Sequence, residues 1–127
     1  MSREILFKAK RLDNSEWIEG DLIHAPDGRA AISTYDGLDE VIPPTVCQYT
    51  GLTDRNGVKA FEGDIIQSSG GLYVVMYYND RAAFMRVEIN VNVYVYLSRY
   101  SMRNEFEVVG NRWDTPELLE GGTGEDD

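Results

Sequence analysis

The clearest hydrophobic pattern lies in the second half of the chain. Val87, Ile89, Val91, Val93, Val95 and Leu97 occupy every second position, with Glu88, Asn90, Asn92, Tyr94, Tyr96 and Ser98 between them. Alternation of period two predicts a strand with one dry face and one wetter face. Residues 84–97 would run about 45 Å if straight, so a bend, bulge or break is expected near residues 90–92. Shorter alternating runs predict strands at 3–10, 17–24, 29–35, 65–68, 72–78 and 106–111.

Between these runs lies dense turn chemistry. Residues 12–15 and 25–29 are polar or Pro/Gly-rich turns. Gln48-Tyr49-Thr50-Gly51-Leu52 leads into Asp54-Arg55-Asn56-Gly57, where Asn56-Gly57 suits the positive φ of a hairpin turn. Glu62-Gly63-Asp64 marks a second bend before Ile65-Ile66. Residues 69–71 and 79–81 turn the chain again. Residues 36–44 read as a polar, acidic connection, since Pro43-Pro44 excludes an ordinary helix and disfavours a central strand. Residues 98–104 read as a second connection. Thr115-Pro116 can open a single helical turn over 116–119.

The pattern predicts a mainly β fold with little helix. Because exposed strand edges are costly, the expected form is a small antiparallel β-barrel, partly open and SH3-like in character. A single β domain is expected over 1–119, followed by a flexible acidic tail over 120–127, with disordered composition.

Composition narrows the function classes. The chain of 127 residues has 22 acidic and 12 basic side chains, a net charge of −10. Five of the acids, and no base, lie beyond Pro116. Such a chain repels nucleic-acid phosphate at long range and suits a basic partner surface. No apolar run is long enough for a membrane helix or a secretory leader, and a single cysteine, Cys47, permits no internal disulfide. A cytoplasmic location and no membrane partner are therefore expected.

Candidate chemistry is sparse. Glu62 and Asp64, with Asp21, are the carboxylates a small hydrolase would use, but no nucleophile accompanies them, and turn-shaping is the better reading. His24 is the only histidine and Cys47 the only thiol, too few for a usual zinc site. Gly70-Gly71 and Gly121-Gly122 lack the context of a phosphate loop. No catalytic residue, metal or cofactor is expected. Tyr94 and Tyr96, followed by Arg99 and Tyr100, form the candidate interaction surface, because tyrosines on a strand make a rigid amphipathic contact area. With Tyr73, Tyr77, Tyr78, Arg81, Arg86 and Arg103 the same region could stack single-stranded nucleic acid. Packing of the tyrosines against neighbouring strands is the structural alternative.

Three segments together resemble the YopX-like family of bacteriophage and prophage proteins: residues 3–9, the central run from Gln48, Tyr49, Thr50 and Gly51 through Asn56-Gly57 to Glu62-Gly63-Asp64, and residues 107–119 with Gly110-Asn111. The resemblance covers nearly the whole chain, and its central segment is the specific one. Cys47 departs from the small or polar residue often found there, and residues 70–103 carry no family pattern. The resemblance implies a phage-encoded accessory protein with a β-rich fold, in which the motif residues Gln48, Tyr49, Thr50, Gly51, Asn56, Gly57, Glu62, Gly63, Asp64, Gly110 and Asn111 are structural. It carries over no catalytic residues. The expected mode of action is protein–protein contact in the bacterial host cell, through a homo-oligomer and a phage or host partner. A nucleic-acid role on the tyrosine and arginine surface is the first alternative, and a carboxylate hydrolase the second.

Overall fold

The computed structural model describes residues 4–68, 71–89, 94–97 and 106–120. The chain is mainly β, with eleven strands and two short 3₁₀ turns among the described residues. The strands form antiparallel sheets that are not closed into a barrel. Contacts divide the chain into two compact units, Met1–Gly51 and Leu52–Asp127.

The first unit holds β1 (Phe7–Lys10), β2 (Trp17–His24), β3 (Ala30–Thr34), β4 (Gly37–Val41), a 3₁₀ turn (Pro43–Thr45) and most of β5 (Cys47–Thr53). Its strand order is β4-β3-β2-β1-β5. The two halves of β2 do different work. Trp17 to Gly20 pair with β1, and Asp21 to His24 pair with β3. Gly20 sits at the changeover, where a Cβ would run into the Ser33 carbonyl, so only glycine permits that approach. The sheet curls far enough for Arg11 to bridge Val41 at the end of β4. The Leu12 N–H donates to the Glu40 carbonyl at 2.9 Å and the Ile42 N–H to the Lys10 carbonyl at 2.8 Å. Inside lie Ala9, Ala30, Ile32 and Val41, ringed by Phe7, Ile18, Leu22 and Val46.

The 36–44 segment is not merely a connection. Gly37–Val41 is a full strand, in register with β3 from Ala30↔Val41 to Thr34↔Gly37. Val41 is buried, and Asp39 meets Arg11 at 3.2 Å. Pairing and a buried valine overcome the weak strand preference of the acidic residues.

The second unit contains β6 (Lys59–Phe61), β7 (Asp64–Ser68), β8 (Gly71–Tyr78), β9 (Ala83–Glu88), β10 (Tyr94–Tyr96), β11 (Phe106–Asn111) and a 3₁₀ turn (Pro116–Glu120). Its five-stranded sheet runs β10-β9-β8-β7-β11, with a register shift in β11 between Val108 and Gly110. Ile66, Val75, Phe106 and Ala60 form the core, with Leu52, Tyr73, Leu97 and Val108 packed on it. The alternating run over 84–97 is two strands, not one long one. Tyr94 stands opposite Val87, Val95 opposite Arg86 and Tyr96 opposite Met85. Residues 90–92, where an interruption was expected, lie outside the described residues, as do the 98–104 connection and the tail from 121.

Candidate functional site

The central hairpin is held by a carboxylate. Asp54 is 5% exposed. Its Oδ1 accepts the N–H groups of Asn56 and Val58, each at 2.8 Å, and its Oδ2 accepts the Val108 N–H at 2.9 Å. The Arg55 N–H donates to the Phe106 carbonyl at 3.0 Å, so the turn is pinned to β11 twice. Gly57 takes φ +82°, as the turn requires. Burial pushes the Asp54 carboxyl up. The N–H groups of Val108, Val58 and Asn56 and the charge of Arg55 outweigh that, leaving it below its ordinary 3.8. Sequence reasoning placed this turn but overlooked Asp54 as its anchor. The Asx pattern could have revealed the two local bonds; nothing local signals Val108.

Glu62-Gly63-Asp64 forms the second bend. Asp64 is 2% exposed, and its Oδ2 accepts the Phe61 N–H at 2.8 Å. Gly63 takes φ +89°, donates to the Val75 carbonyl at 2.7 Å and accepts from the Arg112 N–H at 3.0 Å. A Cβ there would strike the Trp113 ring. Asn111 organises the far side: its Oδ1 accepts the N–H groups of Trp113 and Asp114 at 2.9 and 2.8 Å, and its own N–H donates to Thr115 Oγ1 at 2.8 Å. Gly110 leaves room for that Thr115 hydroxyl. Gly63, Asp64, Gly110 and Asn111 are thus brought together on adjoining strands, with Asn111 opposite Asp64. Glu62 is half-buried.

The remaining sequence candidates are dispersed. Gln48 pairs opposite Phe7, Tyr49 is buried with its N–H on the Leu6 carbonyl at 2.8 Å, Thr50 is half-buried and Gly51 has φ +92°. Asp21 and His24 are exposed on β2 and belong to opposite faces of it. Cys47 is buried, its thiol donating to the Thr45 carbonyl at 3.0 Å. Tyr73 lies under the Arg86 guanidinium at 5.0 Å, and Tyr77 meets Phe84 edge-on at 5.2 Å. Tyr94 and Tyr96 sit on the outermost strand of their sheet. Arg99, Tyr100 and Arg103 lie outside the described residues. No group of three or more His, Cys, Asp or Glu among the described residues could hold a metal ion. No helix among them is long and apolar enough to cross a membrane.

One surface feature went unread in the sequence. On the outer side of β2, β3 and β4, Ile23, Ala31 and Glu40 stand in one cross-strand row, and Asp21, Ser33 and Leu38 in the next. Ile23 is 46% exposed and Leu38 62%, and Tyr35 at the adjoining turn is fully exposed. Ile23 and Leu38 border a concavity of about 290 Å³ that also touches Ala31, Arg29 and Glu40. Reading residues 36–44 as a connection concealed it, because Leu38 and Glu40 then had no face to share.

The family model described as YopX protein matches residues 6–120. Among solved structures, protein EF1440 from Enterococcus faecalis aligns over 94% of this chain and 100% of its own, with a TM-score of 0.59 and 22% identity, a likeness of fold alone. Among curated proteins no match is found.

Proposed function

The chain belongs to the YopX family, and on that premise we propose that it is a non-catalytic accessory protein that works by contact with a protein partner. The observation that carries this reading is how the motif's polar groups are used. Asp54 gives its carboxylate to three backbone N–H groups, Asp64 turns its own onto the Phe61 N–H, and Asn111 caps the turn that follows it. Groups buried and bonded in this way maintain backbone shape and offer little to a substrate. What the surface does offer is apolar: Ile23, Leu38 and Tyr35. A phage origin and action in the host cytoplasm belong to this proposal through the family resemblance. Self-association belongs to it through β10, which is outermost in its sheet among the described residues and could pair there with a second copy.

Affinity capture by the intact protein from bacterial host extract, read by quantitative mass spectrometry, tests the reading. A saturable protein partner is expected, with concentration-dependent mass in light scattering if β10 self-pairs. Capture of nothing above background, together with a hydrolytic activity abolished by Asp64→Asn, would replace it with the hydrolase. A salt-sensitive shift of single-stranded nucleic acid would replace it with the nucleic-acid reading.

A further inference from the structure

The outer face of β2–β4 has a definite shape. Ala31 lies between Ile23 and Glu40 in the cross-strand row, and Ser33 between Asp21 and Leu38 in the next. Small residues on the middle strand therefore make a floor, and large residues on the two flanking strands make walls. The walls stand on strands two spacings apart, about 9.6 Å between backbones. Side chains narrow that further, which is tight for a helix of about 10–12 Å but suits one extended chain. The concavity of about 290 Å³ touches Ile23, Ala31, Leu38 and Glu40 of this face, with Asp21 and Ser33 in the row beyond it.

Its charge is equally specific. One wall carries Ile23 and Asp21, the other Leu38 and Glu40, so an apolar group and a carboxylate sit two residues apart on each. Among the described residues the cation lining the concavity is Arg29, which has its Nε on Asp27 Oδ2 at 2.9 Å. The surroundings are acidic as well, with Glu19 and Asp36 exposed. A second copy of the chain would bring its own carboxylates against these, which disfavours self-pairing at this face.

We propose that this trough binds an extended segment of a partner protein in which aliphatic residues alternate with lysine or arginine. The aliphatic side chains would lie on the Ala31 floor between Ile23 and Leu38. The cations between them, directed away from the floor, would fold back on their long aliphatic stems to reach Asp21 and Glu40 at the rims. This deepens the contact reading above and rests on it.

The test uses fluorescence anisotropy with the full chain and three short labelled peptides: leucine alternating with lysine, leucine with glutamate, and serine with lysine. The leucine–lysine peptide should bind at least about tenfold tighter than either control. Leu38→Ser combined with Glu40→Gln should weaken it by at least about tenfold, with the circular dichroism spectrum unchanged because both side chains are exposed. Equal binding of the serine–lysine peptide would overturn the proposal, leaving only bulk charge. So would unchanged binding by the double variant, or a dimer in light scattering that Leu38→Ser dissolves. If the double variant still captures the same partner from host extract, the trough is excluded while the contact function stands.

Discussion

Asp54 sets the terms at the scale of single residues. Three backbone N–H groups end on one buried carboxylate, and hydrogen bonds to charged groups are among the stronger ones. Asp54→Ala should therefore cost about 3 kcal/mol or more in urea unfolding. The folded carboxyl titrates below the 3.8 of the unfolded chain, so the unfolded state binds the proton more readily. Its contribution is complete above that value and disappears as pH falls through the lower folded one. Comparison of wild type with Asp54→Asn across that acidic window should show a steeper loss of stability with falling pH in wild type, the difference being the Asp54 contribution. Two glycines offer a second contrast. Gly57 and Gly63 both have positive φ, but a Cβ at Gly57 meets nothing within 4 Å while one at Gly63 meets the Trp113 ring. Gly57→Ala should cost about 1 kcal/mol of backbone strain, and Gly63→Ala about 3 kcal/mol or more, since Trp113 must move as well. Equal losses in the two variants would show that the Trp113 contact is unimportant.

Among the elements, β7 is the most enclosed. It lies between β8 and β11, and Ile65, Ile66, Asp64 and Ser68 are all buried. β10 is the outermost strand of the same sheet. Hydrogen exchange should find the amides of Ile65 and Ile66 among the slowest of that unit and those of β10 far faster; similar protection in the two would contradict the strand order. Much at this scale could be read without coordinates. The run 17–24 is a strand to its ends, 106–111 likewise, and the turns at Asn56-Gly57 and Gly63 lie where their residues require. One misreading has a physical cause. Acidic residues and a double proline disguised β4, whose strand is secured by its hairpin neighbour β3 and by Arg11, 28 residues from Asp39. The alternation over 84–97 persists through two antiparallel strands because a pattern of period two records alternation and not chain direction. The central motif placed the turn. It could not say that Asp54 reaches Val108, 54 residues away.

At the scale of the molecule, charge sets the direction. A net −10 spread over 127 residues opposes compaction and phosphate binding, and attracts basic surfaces. Added salt, screening beyond about 8 Å at physiological strength, should raise the melting temperature and weaken the leucine–lysine peptide; a salt-independent affinity would remove charge from the recognition. In this chain the buried carboxylates of Asp54 and Asp64 are occupied with backbone, while exposed apolar residues of β2–β4 remain available. The central claim is that contact happens on that face and not at the motif. Amide shift mapping by nuclear magnetic resonance, with the leucine–lysine peptide titrated into the full chain, addresses it most directly. Shifts gathered at Ile23, Ala31, Leu38 and Glu40 are the predicted result. Shifts gathered instead at Glu62, Asp64 and Asn111 would contradict the account.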